Sequence, residues 1–286
     1  VIPIQTSLPH SAGINSMPSS AAGDLRSSLS GSISALKATP DSAARILVDH
    51  LYSHRFPAVP GVDIGTAYVL AEDEVRVGGD LIDVYQFNNG SVAISIADIS
   101  GKGAQAASRA ALVKYGLRAY VSAGFTPAQV LRNLNVLYME TSAYDKVDPD
   151  SFVSVFLGII DPEHRIMTYA SAGHEPAILL HPHKAPEMLP PTAPIVGVFE
   201  ESHKLFHQRL VYLQPGGSTL IVTTDGVTEA RAPGGEFVKP DDIMKWLEFN
   251  RALSAREQAD RLLRATLQFC GGRAQDDIAI VVAYFP

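Results

Sequence analysis

The chain has a single cysteine, Cys270, among its 286 residues. No internal disulfide can form and no cysteine-rich zinc site can be built, so the sequence suits a reducing compartment. Positive charge is also short, since 23 Lys and Arg stand against 30 Asp and Glu for a formal net charge of −7. Such a balance leaves no basic surface to neutralise a phosphate backbone over many contacts, which excludes general nucleic-acid binding. No apolar run has the length that spans a bilayer. The chain opens at Val1 without the basic stretch and apolar core of a signal peptide. These absences predict a cytoplasmic protein with no membrane segment, and the missing initiator Met reads as a fragment of something longer. What is present is ordinary for a packed globular chain: 46% hydrophobic and 19% charged residues.

The first forty residues differ from the rest, with ten serines and only three charged side chains, Asp24, Arg26 and Lys37. Residues 1–38 are predicted to be a flexible linker. A connecting helix is predicted over residues 39–56, with Thr39 as N-cap, Pro40 in the first turn, and Ile46, Leu47 and Leu51 on one face. Residues 61–286 then mix strand and helix signals. Val92, Ile94 and Ile96 alternate with small residues and end at Asp98; Phe152 to Ile160 and Ile166 to Ala172 flank a turn; Thr219 to Thr224 and Asp277 to Tyr284 are further apolar runs. Helices are expected from Ala104 to Tyr120, from a capping box at Thr126 to about Met139, and from a second capping box at Ser254 to Gly271. Two helices in succession, then hairpins, then a helix and a last strand do not alternate as a doubly wound fold does. The pattern predicts an α+β protein with mainly antiparallel strands.

Acidic residues recur at the ends of the apolar runs. Asp80 follows Gly78-Gly79, Asp98 closes a strand before Ile99-Ser100-Gly101, Asp225 precedes Gly226, and Asp276 and Asp277 open the last strand. Strand ends lie on the rim of a packed sheet, so these carboxylates can converge despite their separation in sequence. Converging carboxylates repel one another unless a cation neutralises them, and an oxygen-only donor set suits Mg²⁺ or Mn²⁺. Taken singly, each aspartate beside a glycine also reads as a turn residue. Lys102 between two glycines does not make a phosphate loop, because Ile96 and Gly103 occupy the places of the required Gly and Ser/Thr. His174 reads as a catalytic acid or as a hydrogen-bonded structural histidine. Composition and periodicity extend as far as a hydrolase with two metal ions.

Six segments in order resemble the metal-dependent PPM-type (protein phosphatase 2C-like) serine/threonine phosphatases, in the bacterial branch of the sporulation stage II protein E and the sigma-regulator phosphatases. They are Val77-Gly78-Gly79-Asp80 with Asp83-Val84-Tyr85; Ala97 to Gly103; Phe152 to Asp161; Ser171-Ala172-Gly173-His174-Glu175-Pro176; Thr224 to Ala230; and Gln275-Asp276-Asp277-Ile278. The resemblance covers about Gly61 to Pro286 and implies two packed antiparallel sheets flanked by helices. It implies catalysis at Asp80 and Asp98 with two Mn²⁺ or Mg²⁺ ions. Asp98 would bridge both ions and the Ile99 carbonyl would ligate one of them. Asp225 and Asp276 would complete the other shell, Asp80 would serve near the second ion, and Asp277 would be a neighbour. A metal-bound hydroxide would attack a phosphoserine or phosphothreonine phosphorus. The implied substrate is a phosphorylated anti-sigma-factor antagonist or similar regulatory protein. A sensor domain upstream of this fragment and a homodimer are compatible with the branch. The sequence departs from the larger eukaryotic-type members, which carry Glu where Gly79 stands, and only Arg76 lies near the place of their phosphate-binding arginine. Two rival readings fit less well: a diguanylate cyclase, whose continuation after Gly78-Gly79-Asp80 is missing here, and a catalytically weak phosphatase-like binding module, which would be expected to have lost Asp98, Asp225 or Asp276.

Overall fold

The computed structural model describes residues 51, 56, 58–71, 78–87, 89–101, 103–145, 151–199 and 204–286. All of these belong to one compact unit, Val48–Pro286. The predicted linker, Arg76, Lys102 and nearly all of the predicted connecting helix lie outside the described residues. From that helix Leu51 is described, and it is 2% exposed.

Ten strands are described: β1 (Asp63–Val69), β2 (Asp80–Gln86), β3 (Val92–Ile99), β4 (Val153–Asp161), β5 (Ile166–Ala172), β6 (Ala177–Leu180), β7 (Glu187–Leu189), β8 (Arg209–Tyr212), β9 (Ser218–Thr223) and β10 (Ile278–Phe285). The helices are α1 (Gly103–Ser122), α2 (Pro127–Asp145), α3 (Asp225–Thr228), α4 (Pro240–Asn250) and α5 (Ala255–Phe269). One five-stranded sheet runs β1-β10-β9-β6-β7 and the other β2-β3-β4-β5-β8. Every pairing within them is antiparallel.

Strand alternation divides the core into three layers. On β3, Val92, Ile94 and Ile96 face the other sheet and meet Val222, Val281 and Phe285 there. The intervening Ala93, Ala97 and Ile99 face the opposite way, toward α1 and α2. The two alanines let α1 lie close. Ala106, Ala110, Val113, Leu117 and Val121 recur at three- and four-residue steps and are all buried. Where the two helices cross, a methyl group on Gly116 would press on Leu134 at 3.2 Å. The first sheet is covered on its outer face by α4 and α5 through Ile243, Leu247, Ala259 and Leu262. The expected sandwich of two antiparallel sheets between helical layers is what the chain forms. The capping box predicted at Ser254 is complete, and at Thr126 the Gln129 side chain accepts from the Thr126 N–H at 3.0 Å.

Candidate metal centre

Register explains how distant aspartates reach one place. The start of β2 pairs with the end of β3, so Asp80 lies directly across from Asp98, and Asp98 in turn lies across from Ser154 on β4. In the other sheet β9 ends beside the start of β10, and β1 ends on its far side, where Val69 pairs with Ile278. That brings Asp225, which follows β9, and Asp276-Asp277, which precede β10, to the same open end of the sandwich. A cleft of about 550 Å³ results, lined by Asp80, Asp98, Ile99, Asp225, Asp276 and Asp277 with Gly78 and Gly79. Asp80, Asp98, Ile99, Asp225 and Asp276, the metal-site residues named from the sequence, therefore line one cleft at the seam between the two sheets.

The five carboxylates are held differently. Asp80 is 2% exposed and accepts a 2.6 Å hydrogen bond from Thr224 Oγ1. The same hydroxyl accepts from the Ala279 N–H at 2.9 Å, so Thr224 ties the two sheets together behind the cleft. Asp277 accepts from the Ala71 and Gly79 N–H groups at 2.8 and 3.0 Å. Asp276 has no such clamp. Its Oδ1 accepts the Asp277 N–H at 2.8 Å, and its side chain borders both the main cleft and a neighbouring cavity of about 240 Å³.

Like charge at close quarters shows in the acidity of these groups. Burial, then the charges of Asp225, Asp276 and Asp277, push the Asp98 carboxyl up to about 7. Burial, then Asp276, Glu229 and Glu175, push Asp225 up to about 6. Asp80 is raised well above the usual carboxylate range by burial and by Asp98, against the hydrogen bond from Thr224. Asp277 is raised by burial, and further by Asp276, against the backbone amides that hold it. Groups so placed favour a bound cation, which would remove the repulsion. The donor chemistry fits a hard divalent ion, being oxygen throughout, and the glycines keep space open: a methyl group on Gly79 would collide with the Ile99 carbonyl oxygen. Among the described residues, however, no three acidic, histidine or cysteine side chains already close around one point as ligands.

Sequence reasoning missed the supports of this cleft. Thr224 carried no signal beyond its place before Asp225. His174, left between two roles, is buried, and its Nδ1 lies 2.7 Å from Ser154 Oγ, the residue across from Asp98. Burial pushes the ring down to about 4, so it is neutral. Asp83, only three residues after Asp80, points away from the cleft and forks with Arg118 of α1 at 2.6 and 2.7 Å. His181 is bound to Glu187 at 3.2 Å, away from the cleft, and Cys270 lines the neighbouring cavity. No described helix is long and apolar enough to cross a membrane.

Comparison with known proteins agrees with this layout. The phosphoserine phosphatase RsbU of Bacillus subtilis is 29% identical over 236 residues, covering 81% of this chain and 66% of its own. The PP2C phosphatase domain of SpoIIE from B. subtilis, solved with a fragment of its regulatory domain, matches with a TM-score of 0.65 at 20% identity, over 78% of this chain and 63% of that one. The SiaA-PP2C domain of Pseudomonas aeruginosa has a TM-score of 0.65 at 18% identity, over 94% of this chain and all of its own. The chain thus spans just under two thirds of RsbU and of the SpoIIE structure, and its fold is that of the PP2C domains. The family model for stage II sporulation protein E (SpoIIE) matches residues 88–286, a span that holds Asp98, Asp225 and Asp276, and the chain belongs to that family.

Proposed function

We propose that this chain is the catalytic part of a metal-dependent protein phosphatase acting on phosphoserine or phosphothreonine. One observation carries the reading: aspartates from both sheets line one cleft and raise each other's proton affinity. Two Mn²⁺ or Mg²⁺ ions would be held by Asp80, Asp98, the Ile99 carbonyl, Asp225 and Asp276. When bound, they supply Lewis-acid stabilisation of the transferring phosphoryl group and a nucleophile at neutral pH.

The chain's own residues prepare that chemistry. Thr224 fixes the orientation of Asp80 by donating to Oδ2, which leaves Oδ1 for another partner. The amides of Ala71 and Gly79 occupy both oxygens of Asp277, which supports Asp276 as the ligand of the doublet. Gly79 lets β2 approach the end of β3 closely enough for its carbonyl to accept from the Ile99 N–H at 3.2 Å, so the Ile99 carbonyl is set by backbone pairing. The neutral His174 holds Ser154 beside Asp98 without adding charge. By its likeness to RsbU, named a phosphoserine phosphatase, the substrate is a phosphorylated regulatory protein of the anti-sigma-factor antagonist type.

The test is release of phosphate from a phosphoserine protein and from an aryl phosphate with Mn²⁺, with Mg²⁺, and with excess chelator. Turnover should need added metal and stop with chelator. Activity untouched by chelator would refute the metal reading, and absence of turnover under all metals would leave a phosphatase-like binding module.

A further inference from the structure

The cleft has an apolar wall that the metal chemistry leaves unused. Among the described residues lining it, Phe152 is the one aromatic side chain, and it is 41% exposed. Its placement follows from strand alternation. Phe156 and Ser154 lie on the face of β4 turned toward the other sheet, where Phe156 is fully buried and stacked on Tyr169 with centroids 5.6 Å apart. Two residues before Ser154, Phe152 is the next side chain of that row, flanked by the buried Ser151 and Val153. It emerges where the sheets part.

Its backbone is tied on both sides to the segment after Asp98. The Phe152 N–H donates to Ser100 Oγ at 2.9 Å, and the Phe152 carbonyl accepts from the Ser100 N–H at 3.0 Å. An aromatic ring carried on a doubly held backbone loses little conformational freedom on making a contact. Leu70, half-buried, is a further apolar side chain of the same cleft. The remaining charged lining is acidic, and among the described residues no cation lines this cleft to support an acidic neighbour of the phosphoserine.

Resting on the function proposed above, we propose that Phe152 determines substrate specificity: the substrate polypeptide lies against its ring, and the enzyme favours a phosphoserine with an apolar residue immediately beside it. The phosphoryl group is handled by the carboxylate end of the cleft and the flanking side chain by the aromatic wall.

Steady-state kinetics at saturating Mn²⁺ would compare phosphoserine peptides flanked by leucine, glycine or aspartate with N-acetyl-O-phosphoserine amide, which has no flanking residue. Wild type should favour leucine over aspartate through KM. Phe152→Ala should raise KM for the leucine peptide about tenfold while leaving the phosphoserine amide and the Mn²⁺ concentration for half-maximal rate within about twofold. Phe152→Tyr should restore the preference. The proposal is overturned if Phe152→Ala retains the leucine preference, or if it slows the phosphoserine amide as much as the peptide, since the ring would then only support the segment after Asp98. A wild-type enzyme that turns over no phosphoserine substrate with any metal would remove the proposed function, and this inference with it. Normal metal-dependent turnover with no flanking preference would remove this inference alone.

Discussion

Asp276 and Asp277 are adjacent in sequence and carry the same group in opposite circumstances. Asp277 uses both oxygens on backbone amides that pin the end of β1 and the start of β2 to the start of β10, whereas Asp276 stays open to the cleft. Asp277→Asn turns one acceptor into a donor facing those amides, which should cost about 1–3 kcal/mol of stability. Asp276→Asn should leave thermal unfolding of the metal-free protein unchanged or shift it upward, while lowering turnover about 100-fold or more. Thermal melts in chelator beside Mn²⁺-dependent rates on the two variants check the pair. A melt lowered more by Asp276→Asn than by Asp277→Asn would reverse the roles given to them. Asp98→Asn should likewise remove most activity, yet stabilise the metal-free protein, because it takes away a charge that burial and three aspartates oppose.

Among the elements, β2 and α1 are joined by the Asp83–Arg118 fork, in which the acid side chain is 2% exposed and the guanidinium 41%. Arg118 also lies over the Tyr85 ring at 5.1 Å. Removing the exposed partner strands the buried one, so Arg118→Ala should destabilise by about 2–3 kcal/mol, more than Asp83→Asn. Lys114, whose charge also lies near Asp83, keeps that loss at the lower end. Urea unfolding of both single variants and the double variant measures the coupling, and equal losses from the two single variants would contradict this asymmetry. This fork also marks the limit of what could be read from sequence. Most of the longer elements were legible: β3, β4, β5, β9, β10, α1, α2 and α5 each carry a clear period or a capping signal, whereas β1, β2 and α4 did not stand out. The aspartates were legible too, because each stands at one end or the other of an apolar run. Short edge strands such as β7 and β8 have too few residues for a period to show, and half-exposed patterns such as that of β8 carry no inward face. Asp83 and Asp80 look alike in sequence. Three residues apart on a strand, they project to opposite faces, and only the register with β3 tells which one joins Asp98. Thr224 and His174 were illegible as supports for the same reason, since their partners, Asp80 and Ser154, are 144 and 20 residues away.

For the molecule as a whole, the shared cleft sets how stability responds to pH. Asp98 and Asp225 titrate at about 7 and about 6 in the folded state, above the ordinary value of 3.8. Folding therefore favours their protonated forms, and that contribution is full below the ordinary value and lost as pH rises through the folded values. His174 acts in the other direction, depressed to about 4 from 6.5, so its contribution is present above the ordinary value and lost on acidification. With chelator present, the melting temperature should be highest near pH 4 and decline as pH rises from there to about 7, with His174 offsetting part of the fall below 6.5. Asp98→Asn should flatten that decline, and Mn²⁺ should reverse it. A melting temperature that climbs steadily to pH 8 in chelator would contradict the mutual repulsion. The division of the cleft between two sheets has one more consequence. A cut in the exposed turn between Asp161 and Ile166 would leave Asp80, Asp98, Ile99 and Phe152 on one fragment, and Asp225, Asp276 and Asp277 on the other. Neither fragment would own a complete donor set, so phosphate release would signal that two separately made polypeptides had found each other, and fusing each to one member of an interacting pair would turn this domain into a detector of their encounter.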